Sequence, residues 1–272
     1  MKTINLFALI IGFITISSSC KQKIDFVEEP IDSSDVKQFG GKGQTWKMWN
    51  KIFVSCMKAE AFKDPFYMGV TNTIDLGSIT DKDHESTIRV IDTSVFTTEE
   101  LKKIIKVGVP ASCNFQQSLT MDLNAFLNSE FKVADANLSS INAELAYAIS
   151  TAKSTSIKVD GWQRDELITG ALRDILNEST EPRKMKFKDD LLSEGNLILV
   201  RIAKINGFES TIELAREISA DLEAKLKAGE VIAGIGDTGL KAKFNFLSKS
   251  SIVVKSDGAF YVFGKYMKAK KV

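Results

Sequence analysis

The sequence predicts an α+β fold, with amphipathic helices packed on a largely antiparallel sheet and a C-terminal β-hairpin. Three observations predict it. Trp46, Trp49, Ile52, Phe53, Cys56 and Met57 recur at helical spacing. Leu240, Ala242, Phe244 and Phe246 alternate with Lys241, Lys243 and Asn245, as the faces of a half-buried strand do. Asp257-Gly258 then lies between Ile252-Val253-Val254 and Phe260-Tyr261-Val262-Phe263, the pattern of a tight turn joining two strands.

The chain begins with Lys2, a mostly apolar run over 4–16, and Ser17-Ser18-Ser19 immediately before Cys20. That run is shorter than the roughly 20 residues a helix needs to cross a bilayer core, so it fits the apolar region of an export signal. The placement of Cys20 resembles the lipobox of bacterial lipoproteins, with Ser17 where leucine is common. The resemblance covers residues 1–20. It implies that the Cys20 thiol takes a diacylglycerol, that the chain is cut before Cys20, and that the new amino group is acylated. More than one acyl chain holds a protein stably to a membrane, at about 0.8 kcal/mol per buried CH₂. The plainer alternative is a secretory signal cut near Ser19, with Cys20 unmodified.

Removal of residues 1–19 takes away one basic residue, Lys2, and leaves 35 basic against 35 acidic residues. A neutral balance does not indicate a nucleic-acid partner. With 44% apolar residues the chain can build a true core, burying on the order of 70–75% of its unfolded surface. Residues 20–44 lack periodicity and carry Glu28-Glu29-Pro30 and Gly40-Gly41-Lys42-Gly43, which predicts a lipid-anchored flexible tether. Lys42 does not complete a phosphate loop, because Gly43 follows where Ser or Thr binds Mg²⁺ and Val36 stands in place of the first glycine. The globular domain is expected over 45–272, with a division into two subdomains near 180–195 left open.

Within it, Pro65 ends the first helix, and runs such as Thr87-Ile88-Arg89-Val90-Ile91 read as strands around a polar loop holding His84. Thr97 and Glu100 form a capping box, Phe96 and Leu101 are placed to staple it, and 107–110 closes that helix. Alternation over 115–133 favours strand. The stretch 138–152 satisfies both periods and stays open. Apolar residues from Leu167 to Leu176 form one stripe within 162–178, predicting a helix. A basic loop is expected over 182–188, a strand buried on both faces over 196–205, and either strand or a helix capped by Gly229 over 208–228. The lysines of 265–271 are expected to shield a sheet edge or to touch anionic headgroups.

Cys56 and Cys113 remain once Cys20 is assigned to lipid, and their spacing fits no metal motif. A Cys56–Cys113 bridge and two buried free thiols are both open.

Motifs with a catalytic look fail on context. The glycines of 234–239 have the G-x-G-x-x-G spacing, but a strand pattern follows them and only 33 residues remain, too few for a nucleotide-binding half. Asp237-Thr238-Gly239 resembles the aspartic-protease triplet and has no second copy to share a proton with. Ser55 and Lys58 match S-x-x-K, yet the same spacing recurs at Ser34, Ser129 and Ser150 without companion signatures. One histidine argues against Ser-His hydrolases and multi-histidine zinc sites. Asp189-Asp190 reads as a solvated pair. No catalytic, cofactor-binding or metal-binding residue is therefore assigned, and no cofactor is expected.

The expected function is that of a membrane-anchored envelope lipoprotein, in the outer membrane before the inner, whose domain binds or scaffolds an unidentified envelope partner. The alternatives are an envelope hydrolase with an unrecognised site and a membrane-active protein using amphipathic β segments over 115–159.

Overall fold

The computed structural model describes residues 23–28, 43–57, 66–72, 74–81, 87–118, 131–133, 139–235, 240–256 and 258–272. In chain order the elements are β1 (Ile24–Glu28), α1 (Gly43–Met57), β2 (Phe66–Thr71), β3 (Ile79–Thr80), β4 (Thr87–Arg89), α2 (Thr98–Ile104), β5 (Ile105–Lys106), β6 (Ala111–Ser118) and β7 (Phe131–Val133). Then follow α3 (Ser139–Ser150), β8 (Ser154–Leu167), α4 (Thr169–Glu178), α5 (Pro182–Leu192), β9 (Leu197–Ile205) and β10 (Phe208–Glu213). The chain closes with α6 (Ala220–Ala228), β11 (Ile232–Ile235), β12 (Lys241–Ser248), β13 (Ser251–Ser256) and β14 (Phe260–Lys271). The class is α+β, helices on one large antiparallel sheet, as the periodicities predict.

The sheet is organised along two strand paths that each carry a break. β9 pairs with β8 from Arg201↔Glu166 to Ile205↔Trp162, and β10 continues the same register from Phe208↔Val159 to Glu213↔Ser154. The two are one strand path interrupted at 206–207. On its far side β13 runs antiparallel to β10 and β14 antiparallel to β9. Gly161 lies at the break with φ of +80°, a conformation that costs an L side chain about 1–2 kcal/mol. The Asn206 side-chain amide closes the break, donating to the Gly161 carbonyl at 3.0 Å and to Gln163 Oε1 at 3.2 Å.

Two apolar clusters fill the space between this sheet and the helices. One holds Trp49, Phe53, Leu145, Phe208, Leu222, Phe244 and Phe263, beneath α1, α3 and α6. The other holds Phe66, Phe96, Leu172, Phe187, Ile198 and Tyr266, beneath α2, α4 and α5. They meet along β9, where Ile198, Val200 and Ile202 belong to the second and Ala203 and Ile205 to the first. Such a strand is apolar on both faces because both faces are covered.

Local chemistry explains the helices. At α2 the Thr97 hydroxyl accepts from the Glu100 N–H at 3.3 Å while Glu100 accepts from the Thr97 N–H at 2.8 Å, completing the capping box. Ser219 caps α6 through Leu222 N–H at 3.2 Å, and Gly229 ends it with φ of +70°. The stretch 138–152 resolves as α3, and 208–228 divides into β10 and α6, so each period ruled part of it. Of 115–133, β6 takes the start and β7 the end, and 119–130 lies outside the described residues.

Several expectations are corrected. Residues 162–167 are not helical; they are the second half of β8, held by neighbours on both sides and by Glu166 opposite Arg201, whose side chains pair at 2.7 Å. The helix within 162–178 is only α4. The basic loop at 182–188 is the start of α5, where Pro182 at the first turn suits the helix and Lys184, Phe187, Lys188 and Leu191 share its buried face. α5 spans most of the stretch 180–195 at which a division into two subdomains is left open. The C-terminal hairpin is β12–β13; β13 and β14 do not pair with each other, β13 pairing with β12 and β10, and β14 with β1, β2 and β9. Asp257 lies outside the described residues. Finally, Ile24–Glu28 within the expected tether is a strand, which pairs with Met267–Lys271 of β14.

Candidate functional site

β1 is where the segment bearing Cys20 enters the fold. It pairs with β14 from Ile24↔Lys271 to Glu28↔Met267, and the Val272 N–H extends the ladder to the Lys23 carbonyl at 3.0 Å. The other edge of β1 is met by α4. Asn177 accepts from the Ile24 N–H through Oδ1 at 2.9 Å and donates from Nδ2 to the Ile24 carbonyl at 3.0 Å. One side-chain amide thus stands where the next strand's peptide group would be. Lys188 Nζ donates to the same Oδ1 at 3.1 Å and orients it. At the end of β1, Glu28 pairs with Lys265 at 2.8 Å, an ammonium only 9% exposed.

Beside this clasp lies an open cleft of about 370 Å³, lined by Lys23, Ile24, Asp25, Arg173, Asp174 and Asn177 with Glu178 and Val272. Its cationic centre is Arg173, 2.9 Å from Asp174 and 3.6 Å from Asp25. The hydrogen bond to Asp174 first, and the charge of Asp25 after it, raise the guanidinium pKa further. Two of the three carboxylates lining the cleft, Asp25 and Asp174, are thus held by the Arg173 guanidinium.

A second ion cluster fixes α5 to α2. Lys184 is 3% exposed, and its Nζ lies 2.7 Å from Glu100 and 3.2 Å from Glu181. Burial alone would raise the Glu100 pKa; the hydrogen bonds from Lys184 and from Thr97 outweigh it and hold the carboxyl below its usual 4.5. For Lys184 burial acts downward, and the bonds it donates to Glu100 and Glu181 outweigh it to raise the ammonium above its usual 10.5.

Of the residues singled out from sequence, Cys20, His84 and Asp237-Thr238-Gly239 lie outside the described residues. Cys56 in α1 and Cys113 in β6 are joined as a disulfide with Cα atoms 5.5 Å apart. Ser55 is exposed on α1, and Lys58 is outside the described residues. Asp190 is not a free solvated carboxylate, because Arg89 Nε meets it at 2.5 Å. Among the described residues no three His, Cys, Asp or Glu side chains are grouped to hold a metal ion, and no helix is long and apolar enough to cross a membrane. Asn177 was not legible as a site residue: a single asparagine near a helix end carries no periodic signal, and its partner is 153 residues away.

The fold and this clasp define an α+β protein whose N-terminal strand is locked into a curled antiparallel sheet. No protein-family model matches the sequence, and no curated protein does. Among solved structures the chain is similar to a bacterial gasdermin from Bradyrhizobium tropiciagri, at 12% identity over 75% of this chain and 84% of that one, with a TM-score of 0.32. A likeness that loose carries no argument about activity.

Proposed function

We propose that the protein is a bacterial envelope lipoprotein, acylated at Cys20, whose folded domain binds a partner at the membrane surface without catalysing a reaction. One observation carries the reading: the export-type pattern of residues 1–20 ends at a cysteine four positions before the chain is clasped into the sheet at Ile24. An anchor attached there is transmitted directly to the body of the protein. The binding role is supported by a charged cleft in which Arg173 pairs with Asp25 and Asp174, an arrangement suited to exchanging partners.

The test compares the full chain with Cys20→Ser in a bacterium that processes lipoproteins. The native chain is expected in the membrane fraction, with an intact mass that starts at Cys20 and includes acyl groups, and the variant in the soluble fraction. Identical fractionation of the two chains without an acyl mass would overturn the reading. Release of a trapped dye from vesicles by the native protein at low protein-to-lipid ratio would replace the binding role with action on the bilayer itself.

A further inference from the structure

We infer that the end of the sheet holding β1 lies flat against the phospholipid headgroup layer, so that the domain is presented to the envelope in one fixed orientation. The inference rests on acylation of Cys20 and adds a surface and its partner to that reading. Only Lys21 and Gln22 lie between Cys20 and Lys23. Three Cα steps reach at most about 11 Å, which is less than the thickness of one protein layer. A tether of that length cannot let the domain turn over; whatever lies beside Lys23 lies beside the lipid.

Three features make this end a built surface. The clasp holds β1 on both edges, through the β14 register on one side and Asn177 on the other, so the anchor does not peel the strand away under load. The surrounding side chains are long and charged. Lys23, Lys270 and Lys271 are exposed and Arg173 half-buried, against Asp25, Asp174 and Glu178. Four cations against three anions is a nearly balanced face, and it matches a layer of zwitterionic headgroups in which phosphate and ammonium alternate. Of the large exposed apolar side chains, Val272 lies at this end, its N–H bonded to the Lys23 carbonyl, and Leu247 belongs to β12, which is not a neighbour of β1 in the sheet. From Lys271 back to Ser251 the path β14–β13 amounts to about 60 Å of strand, so the turn at Lys249 is carried to the far end. Near-balance of charge has its own consequence: the contact is imposed by the short tether, and changing the anionic lipid fraction or the salt leaves it in place.

The experiment uses the full chain, acylated in the cell and reconstituted into vesicles of phosphatidylethanolamine and phosphatidylglycerol. A fluorophore is placed on Glu178→Cys in one sample and on Lys249→Cys in another, both exposed positions, and quenched by nitroxide attached to lipid headgroups. Quenching at 178 is expected to exceed that at 249 several-fold, equally at low and high salt. A twelve-residue Gly/Ser insert between Gln22 and Lys23, adding roughly 20 Å of reach, is expected to remove the difference while acylation persists. Equal quenching at the two positions in protein whose mass carries the acyl groups overturns the orientation alone. A mass without acyl groups overturns the anchoring reading and the orientation with it.

Discussion

Asn177 bonds both peptide groups of Ile24, accepting from its N–H at 2.9 Å and donating to its carbonyl at 3.0 Å, across 153 residues of sequence. Ile24 is 1% exposed, so neither group has water to fall back on. An edge strand is normally open on one side; here a helix side chain closes it at the point where the anchored segment enters.

Asn177→Ala leaves both peptide groups of Ile24 short of a partner. A loss of about 2 kcal/mol is expected in urea unfolding, with faster amide exchange at Ile24 than elsewhere in the sheet. Asn177→Asp keeps the acceptor for the N–H and loses the donor to the carbonyl, and is expected to fall between the two. Unchanged exchange at Ile24 in the alanine variant would show that the β14 register alone holds the strand.

The Glu100–Lys184 contact predicts a pH dependence at both ends of the scale. Glu100 has a folded pKa below its unfolded value, so its contribution is complete above about 4.5 and is lost as pH falls through the lowered folded pKa. Lys184 has a folded pKa above 10.5, so its contribution is complete below that value and is lost as pH rises through the raised one. Between these limits the contact is flat with pH. Glu100→Gln is expected to lower the urea midpoint at pH 7 and to flatten the acid limb, whereas Glu181→Gln, at a carboxylate 62% exposed, leaves both nearly unchanged. Midpoints measured from pH 3 to pH 8 decide it.

The Cys56–Cys113 bridge closes a loop of 57 residues and ties α1 to β6. Protein unfolded without reductant is expected to show no thiol reactive toward a colorimetric reagent once Cys20 is acylated. Reduction is expected to cost about 4 kcal/mol in the chain-entropy account, and less where the reduced chain keeps structure. Two reactive thiols in the oxidised sample would contradict the bridge.

Gly161→Ala is expected to cost about 1–2 kcal/mol, because β8 passes the break between β9 and β10 with a φ of +80° at this residue. The added methyl would stand 3.3 Å from Asn206 Nδ2 and from Pro110 Cβ, so the Asn206 bridge is disturbed as well. Gly161→Asn, better tolerated in that conformation, is expected to lose less. Thermal unfolding of the pair, read against Gly170→Ala where a Cβ meets nothing within 4 Å, isolates the backbone effect.

The elements legible beforehand are those whose cause is local. The capping box at Thr97 and Glu100, the Gly229 cap and the alternation of β12 involve neighbours within one or two turns or along one strand. The misplaced ones are those whose cause is remote. Residues 162–167 carry a helix-compatible stripe, yet lie between β9 and β5 because Glu166 meets Arg201 and Trp162 meets Ile205. Asp257-Gly258 has the composition of a hairpin turn, yet β10 and β9 take the inner edges of β13 and β14. The clasp at Ile24 belongs to the same class, since nothing near Asn177 in sequence points to it.

By itself the sequence determined the class of the fold, its helix caps, its neutral charge and the export-type pattern ending at Cys20, all properties of composition or of short-range spacing. The tertiary structure decided which strands pair, that β1 is part of the sheet and no tether, and that Lys184, Glu100, Asn177 and Ile24 meet. The reason is physical: a hydrogen-bond ladder is satisfied by any strand of suitable length, so the choice among partners is made by the packing of two cores and by buried polar groups that must find each other across the chain.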